Sequence, residues 1–426
     1  MQRVDYPSPD KIAGLLTRPV LDNKQLVKQV GKIIMDVQKN GDRALRRYSK
    51  LFDTTPIKTS LVKRKLVDHA EKLVSSTLKE AILSAYDNIK KFHASQLEIS
   101  TKIETSPGVY CWRKSLPIHR AGFYIPGGSA PLFSTILMLG IPAQLVGCKE
   151  IVLCTPPSKD GSVHPAILYA AKLVGIKEIH LCGGAQAIAA MAYGTKSISK
   201  VDKIFGPGNQ YVTTAKQLVQ MDGISIDMPA GPSEVCVLAD STANPDFVAA
   251  DLLSQAEHGP DSQVILVSNS KVIIDKTLES INRQLDLLER KEIAIAALAH
   301  SRAILVHDIK DGLAIVNTYA SEHLIIASDD AHELAEQVEH AGSVFLGHYT
   351  PESAGDYASG TNHTLPTNGY ARAYSGVSCD SFVRKVTFQH ITEEGIKKLG
   401  KTIIAMAEAE GLDAHAHAVK IRINKQ

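Results

Sequence analysis

Six cysteines in 426 residues form no C-x-x-C pair, and most lie inside apolar runs such as I-V-L-C-T and I-H-L-C-G. This usage points to reduced, buried thiols in a cytoplasmic protein rather than to a disulfide framework. Aromatic residues are scarce at 5%, too few for a base-stacking platform. The net charge is only +2, which gives no electrostatic reason to expect nucleic acid or an anionic membrane as partner. The N-terminus, M-Q-R-V-D-Y-P-S-P-D, has no apolar core and does not read as a secretory signal. No segment is of low complexity. No G-x-G-x-x-G run occurs, so no motif marks a dinucleotide site. One stretch, Ala121 to Cys148, carries no charge. Pro126, Pro131, Pro142, the Gly127-Gly128 pair and polar Ser129, Ser134, Thr135 and Gln144 interrupt it. It therefore reads as a buried turn followed by a core helix, not as a membrane span.

What is present is ordinary for a globular protein, with 44% hydrophobic and 22% charged residues. The length allows two to four domains. The first hundred residues show apolar positions at helical spacing, as in L-V-K-Q-V-G-K-I-I-M-D-V and from Leu61 to Leu97. G-V-Y-C-W-R-K-S-L-P-I reads as strand. From Gly122 onward, short apolar runs alternate with helical patterns: E-I-V-L-C-T-P-P, E-I-H-L-C-G-G and V-D-K-I-F-G-P-G, then E-V-C-V-L-A-D, Q-V-I-L-V-S, R-A-I-L-V-H, E-H-L-I-I-A-S and S-V-F-L-G. Such alternation predicts an α/β protein with two parallel sheets flanked by helices, one on each side of M-P-A-G-P-S-E. The last fifty residues, with R-K-V-T-F-Q-H as strand and Thr392 to Glu410 as helix, are too few for a core of their own and must pack on the body or on a partner subunit.

Candidate chemistry gathers at a few places. Gln255 and His258 are three residues apart at the end of a helix stopped by Gly259-Pro260. Their oxygen and nitrogen point the same way, a half-site for zinc or a similar divalent ion. Glu322-His323 precedes the strand L-I-I-A-S, where a carboxylate can activate water and an imidazole can serve as general base. Asp356 lies in E-S-A-G-D-Y-A-S-G-T-N-H-T-L-P, which reads as a polar loop, and it or His363 can complete a metal site. Three glycine turns, I-P-G-G-S-A-P, C-G-G-A-Q-A-I and F-G-P-G-N, fall at strand ends where phosphates can approach backbone. In the tail, His415 and His417 point to different faces of a helix, so at most one is a ligand. His93, His164 and His340 fall in charged, surface-like contexts and receive no role.

Taken together, R-A-G-F-Y-I-P-G-G-S-A-P-L-F-S-T, G-G-A-Q-A-I-A-A, V-D-K-I-F-G-P-G-N, I-D-M-P-A-G-P-S-E-V, S-Q-A-E-H-G-P-D-S-Q, E-H-L-I-I, G-S-V-F-L-G and P-E-S-A-G-D-Y-A-S-G-T-N-H resemble the histidinol dehydrogenases over nearly the whole chain. The resemblance implies two incomplete Rossmann-like domains and a homodimer with shared active sites. In that scheme residues 1–20 are an N-terminal extension. Residues 21–105 and 235–377 form the domain of the metal and catalytic residues, and 106–122 form a connecting strand. Residues 123–234 form the NAD domain, and 378–426 a swapped tail. It implies zinc on Gln255, His258, Asp356 and His415, the last from the other subunit. It makes Glu322 and His323 the catalytic pair. Ser233, His323, Glu410 and the metal-site residues would contact substrate, and Tyr124, Gln186 and Asn209 would contact NAD. Ser321 stands where many relatives have Pro, and His417 is a near decoy for His415.

The reaction so implied is oxidation of L-histidinol to L-histidine through the aldehyde, with two NAD reduced in turn. The residue pattern alone leaves three other readings open: a zinc hydrolase using Glu322 on water, a dehydrogenase of another alcohol, and a zinc-stabilised scaffold.

Overall fold

The computed structural model describes residues 1–19, 23–56, 60–127 and 131–424. The N-terminal region forms β1 (Gln2–Asp5), α1 (Pro9–Leu15), α2 (Asn23–Asn40), α3 (Asp42–Phe52), α4 (Arg64–Leu73) and α5 (Ser76–Ala94). Next come β2 (Ile103–Ser106) and β3 (Val109–Pro117). A first strand–helix series follows: β4 (Arg120–Tyr124), α6 (Phe133–Val146), β5 (Glu150–Thr155), α7 (Pro165–Leu173), β6 (Glu178–Leu181), α8 (Gly184–Tyr193), β7 (Lys203–Phe205), α9 (Gln210–Met221) and β8 (Ser225–Ile226). The second series is β9 (Glu234–Ala239), α10 (Pro245–Ala256), β10 (Gln263–Ser268), α11 (Lys271–Leu285), α12 (Lys291–Ala299), β11 (Arg302–Leu305), α13 (Ile309–Tyr319), β12 (His323–Ala327), α14 (Ala331–Ala335), β13 (Ser343–Leu346) and α15 (Glu352–Tyr357). The chain closes with β14 (Val383–Ile391), α16 (Glu393–Ala409) and α17 (Asp413–Ile423).

The two expected parallel sheets are present, in orders β6-β5-β4-β7-β8 and β1-β11-β10-β9-β12-β13. Every residue of E-V-C-V-L-A (β9) and Q-V-I-L-V-S (β10) is buried, as strands covered on both faces require. Side-chain alternation divides them. Val235, Val237 and Ala239 enter one core layer with α10 and α11, while Cys236 and Leu238 enter the opposite layer with α13. Helix α6 fills the uncharged stretch and is buried almost throughout. Among the described residues no helix is long and apolar enough to cross a membrane.

Three expectations need correction. Helices α2 to α5 do not join the sheet of residues 235–377. Leu26, Val30, Ile34 and Val37 form one helical stripe that seats on α8 and α9, and Val67, Ala70, Ile82 and Ile89 seat on α6 and α7. A stripe has periodicity but no address, so sequence alone cannot choose its sheet. The first residues are likewise no mere extension, because β1 pairs in parallel with β11 at the sheet edge. His93 is fully buried rather than surface-like. The tail strand β14 pairs antiparallel with β3 along its whole length, so the connecting strand and the tail share a third, small sheet.

Candidate active site

The site is built where β9 and β12 begin. His323 is registered against Val235, so Glu234, Glu322 and His323 share the N-terminal edge of the six-stranded sheet. Helix α10 returns from the far edge and brings Gln255 there in its last turn, with His258 just beyond. Asp356 arrives on a short helix, α15, and not on a loop as expected. That correction exposes a residue the sequence reading missed. Glu352 lies four residues before Asp356, on the same helical face. The signal was the i, i+4 pair of carboxylates in P-E-S-A-G-D.

Ligand atoms of His258, Glu352 and Asp356 all lie within 4.8 Å of one another. The Gln255 amide sits between the Glu352 carboxylate and the Glu234 N–H. Its hydrogen bonds are satisfied when nitrogen faces Glu352 and oxygen accepts from Glu234 at 2.9 Å. The reverse turn sets oxygen against oxygen, which only a shared cation or proton stabilises. His323 Nδ1 donates to the Glu234 carbonyl at 3.3 Å and lies 3.7 Å from Glu322 Oε2 and 3.9 Å from Glu352 Oε1. His323 Nε2 lies 3.4 Å from Asp356 Oδ1 and is buried without a hydrogen-bond partner. Glu322 Oε2 accepts the Glu234 N–H at 3.0 Å. Ser233 directly precedes Glu234 at the same edge.

Three carboxylates crowd one imidazole here, and burial magnifies each interaction. Burial pushes the Glu322 carboxyl up to about 8 against the opposing pull of His323. Burial also resists charge on His323, yet Glu352, Glu322 and Asp356 outweigh it and push the imidazole up to about 10. Burial raises Glu352, and His323 outweighs burial at Asp356, which falls below the usual range. Such a cluster is short of positive charge.

The second part of the site lies at the C-terminal ends of β4, β6 and β7. Tyr124 ends β4, and its hydroxyl accepts the Gly184 N–H at 3.0 Å, anchoring the start of α8. Gln186 is buried in the first turn of that helix. Asn209 caps α9, accepting from Tyr211 and Val212. Gly206 has φ +120°, and a Cβ there would lie 2.0 Å from the Tyr124 carbonyl oxygen. Beneath it, Lys216 donates to the Gly206 carbonyl at 2.9 Å, and Asp227 accepts the Gly206 N–H at 2.8 Å. These two buried side chains form an ion pair, fixing the G-P-G-N turn from below. Of the first glycine turn, Gly128 to Ala130 lie outside the described residues.

The two parts touch. His363 donates through Nδ1 to the Asp356 carbonyl at 2.8 Å, while its Nε2 lies 3.1 Å from Thr135 Oγ1 in the first turn of α6. Gln210, at the start of α9, reaches Asp261 at 3.4 Å. Gln255, His258, Glu322, His323 and Asp356 are thus brought together in one chain. Glu410 and His415 are not: both are exposed, at the end of α16 and on α17, and the cluster of metal-competent groups among the described residues includes neither. His417 is also exposed on α17.

Two parallel sheets flanked by helices, with a buried histidine–carboxylate cluster at one sheet edge, have the build of an α/β enzyme. Comparison with known proteins narrows the class. The family model for histidinol dehydrogenase matches residues 16–423. Histidinol dehydrogenase of Bacteroides thetaiotaomicron is 56% identical over 424 residues, covering 100% of this chain and 99% of the relative. That of Vibrio cholerae is 50% identical over 415 residues, covering 97% and 95%. The crystal structure of histidinol dehydrogenase from Elizabethkingia anophelis superposes with a TM-score of 0.96 at 55% identity, covering 99% of this chain and 98% of that one. The chain belongs to the histidinol dehydrogenase family, and so to the oxidoreductases.

Proposed function

We propose that the protein oxidises L-histidinol to L-histidine by way of the aldehyde, reducing two NAD in turn, as a cytoplasmic homodimer with one zinc ion per site. The observation that carries this reading is the meeting of Gln255, His258 and Asp356 with the Glu322–His323 pair at one sheet edge.

The residues fit a divalent ion. An amide oxygen, an imidazole and a carboxylate are a donor set suited to zinc, and His323 Nε2, buried 3.4 Å from Asp356 Oδ1, has no hydrogen-bond partner. Gln255, His258 and Asp356 would hold the ion, with Glu352 in the same reach and His415 supplied by a second copy of the chain. When bound, zinc would supply a template that orients the amine and imidazole of the substrate, and NAD would supply the hydride acceptor for each oxidation. Tyr124, Gln186 and Asn209 would face NAD, and Ser233 and Glu410 the substrate.

His323 takes the hydroxyl proton as the carbinol carbon loses hydride, giving the aldehyde. A cation held by Asp356 and Glu352 would offset their share of the field that keeps His323 protonated, so that burial would weigh more strongly toward the neutral base. Glu322 takes a proton from water as the oxygen adds to the aldehyde carbon. The hydrate anion so formed loses a second hydride and its remaining hydroxyl proton to give the carboxylate. Purified protein given NAD and histidinol should form two NADH for each histidinol consumed. Absence of NADH, with hydrolysis of another substrate, would replace this reading with a zinc hydrolase.

A further inference from the structure

We propose that Arg18, from the segment ahead of the first long helix, is a positioning residue for the Glu322–His323 pair; the proposal rests on the function just given. Arg18 grips both strands of chain that enter the site. Its guanidinium makes a two-pronged ion pair with Glu234, whose side chain is only 2% exposed. The same group donates to the Tyr319 carbonyl at 2.7 Å and lies 4.1 Å over the Tyr319 ring. Tyr319 ends α13, three residues before Glu322. Glu234 in turn presents its N–H to Glu322 and its carbonyl to His323. One cation therefore fixes the distance between the backbone that holds the acid–base pair and the turn that delivers it. The grip is itself braced. Asn368 N–H donates to the Glu234 carboxylate at 2.7 Å; the Tyr319 hydroxyl, no part of the grip, donates to Gln263 Oε1 at 2.8 Å. The planar fork of arginine matches a carboxylate and a carbonyl at once, which a lysine ammonium cannot reproduce.

The test compares purified full-length Arg18→Lys with Tyr319→Phe. The second loses the buried bond to Gln263 but keeps the ring and carbonyl that Arg18 touches. Steady-state rates with histidinol and NAD are measured well below each melting temperature. Arg18→Lys should lose roughly 10–100-fold in kcat, as a misplaced acid–base pair does, with both KM values within about twofold. Tyr319→Phe should melt lower and keep its kcat. If Arg18→Lys does not fold, Glu234→Gln carries the same test, since it weakens the grip and leaves the backbone groups of residue 234 in place. A parental kcat in Arg18→Lys, or an equal loss in Tyr319→Phe, overturns the proposal. A parental protein that forms no NADH overturns instead the function on which it rests.

Discussion

Under the proposed reaction, Glu322→Gln should separate the two oxidations. Glutamine keeps the shape of the side chain, and its carbonyl can still accept the Glu234 N–H that Glu322 accepts at 3.0 Å. The fold should therefore survive. What disappears is a proton acceptor. Burial places the Glu322 carboxyl at about 8, so at pH 7 only about one tenth is ionised. A base must be ionised to act, so aldehyde oxidation by the parental protein should climb nearly tenfold per pH unit on the acid side and level off above the inflection. A bound cation moves that inflection to lower pH without removing it. In Glu322→Gln the climb should vanish, and the plateau should fall by roughly 10²–10⁴, or about 2.7–5.5 kcal/mol of barrier. Alcohol oxidation leans on His323 and should fall by less than about tenfold, well short of that loss. The assay follows NADH with histidinol and with the aldehyde as substrates across pH. The variant should release aldehyde and form one NADH per histidinol. Two NADH at the parental rate, or an unchanged pH climb, would refute the assignment.

Other outcomes follow from the same structure. Asp356→Asn should weaken zinc by more than the roughly 10–100-fold typical of losing a supporting partner, while Glu352→Gln should fall within that range; competition against a chelating dye reads both. Gly206→Ala should cost about 1–3 kcal/mol from backbone conformation alone, plus the clash with the Tyr124 carbonyl, and should weaken NAD binding without weakening zinc; urea unfolding and NAD titration measure this. Burial lowers the His93 pKa below the ordinary 6.5, and its ring is held neutral, donating to the Ile89 carbonyl at 2.8 Å and accepting from Asn362 at 3.3 Å. The unfolded chain therefore binds the extra proton. Stability is fully present above about pH 6.5 and is lost as pH falls, by up to about 1.4 kcal/mol per unit, and His93→Gln should flatten that slope in denaturant midpoints.

The sequence displays most of the architecture because strands buried on both faces read as continuous apolar runs ending in Gly or Pro. It displays Gln255 with His258, and Glu322 with His323, because each pair is local in the chain. Glu352 stayed hidden because G-D-Y-A-S-G-T-N-H is dominated by loop formers, which masked one and a half turns of helix. Arg18 and Glu234 stayed hidden for a different reason. Charged residues are almost never fully buried unless paired, and the pairing here spans 216 residues. His93 was misjudged likewise, since its cover, Asn362, comes from 269 residues away.

The opposite polarity of the two sheet edges ties these parts together. On the five-stranded sheet the residues proposed to face NAD stand at strand C-termini, where α8 and α9 begin. Helix starts carry unsatisfied N–H groups and partial positive charge, which suits the phosphates of a dinucleotide. On the six-stranded sheet the cluster stands at strand N-termini, where α10 ends. Helix ends carry unsatisfied carbonyls and partial negative charge, which would suit the divalent cation proposed for Gln255 and His258. Contacts from His363 to Thr135 and from Asp261 to Gln210 set these two edges against each other. Helix starts thus stand at one edge and the end of α10 at the other, with two side-chain contacts joining them. Under the proposed function a small substrate fixed at the α10 edge would be held against a dinucleotide at the other, and the carboxylates that crowd His323 would finish the field that the helices begin.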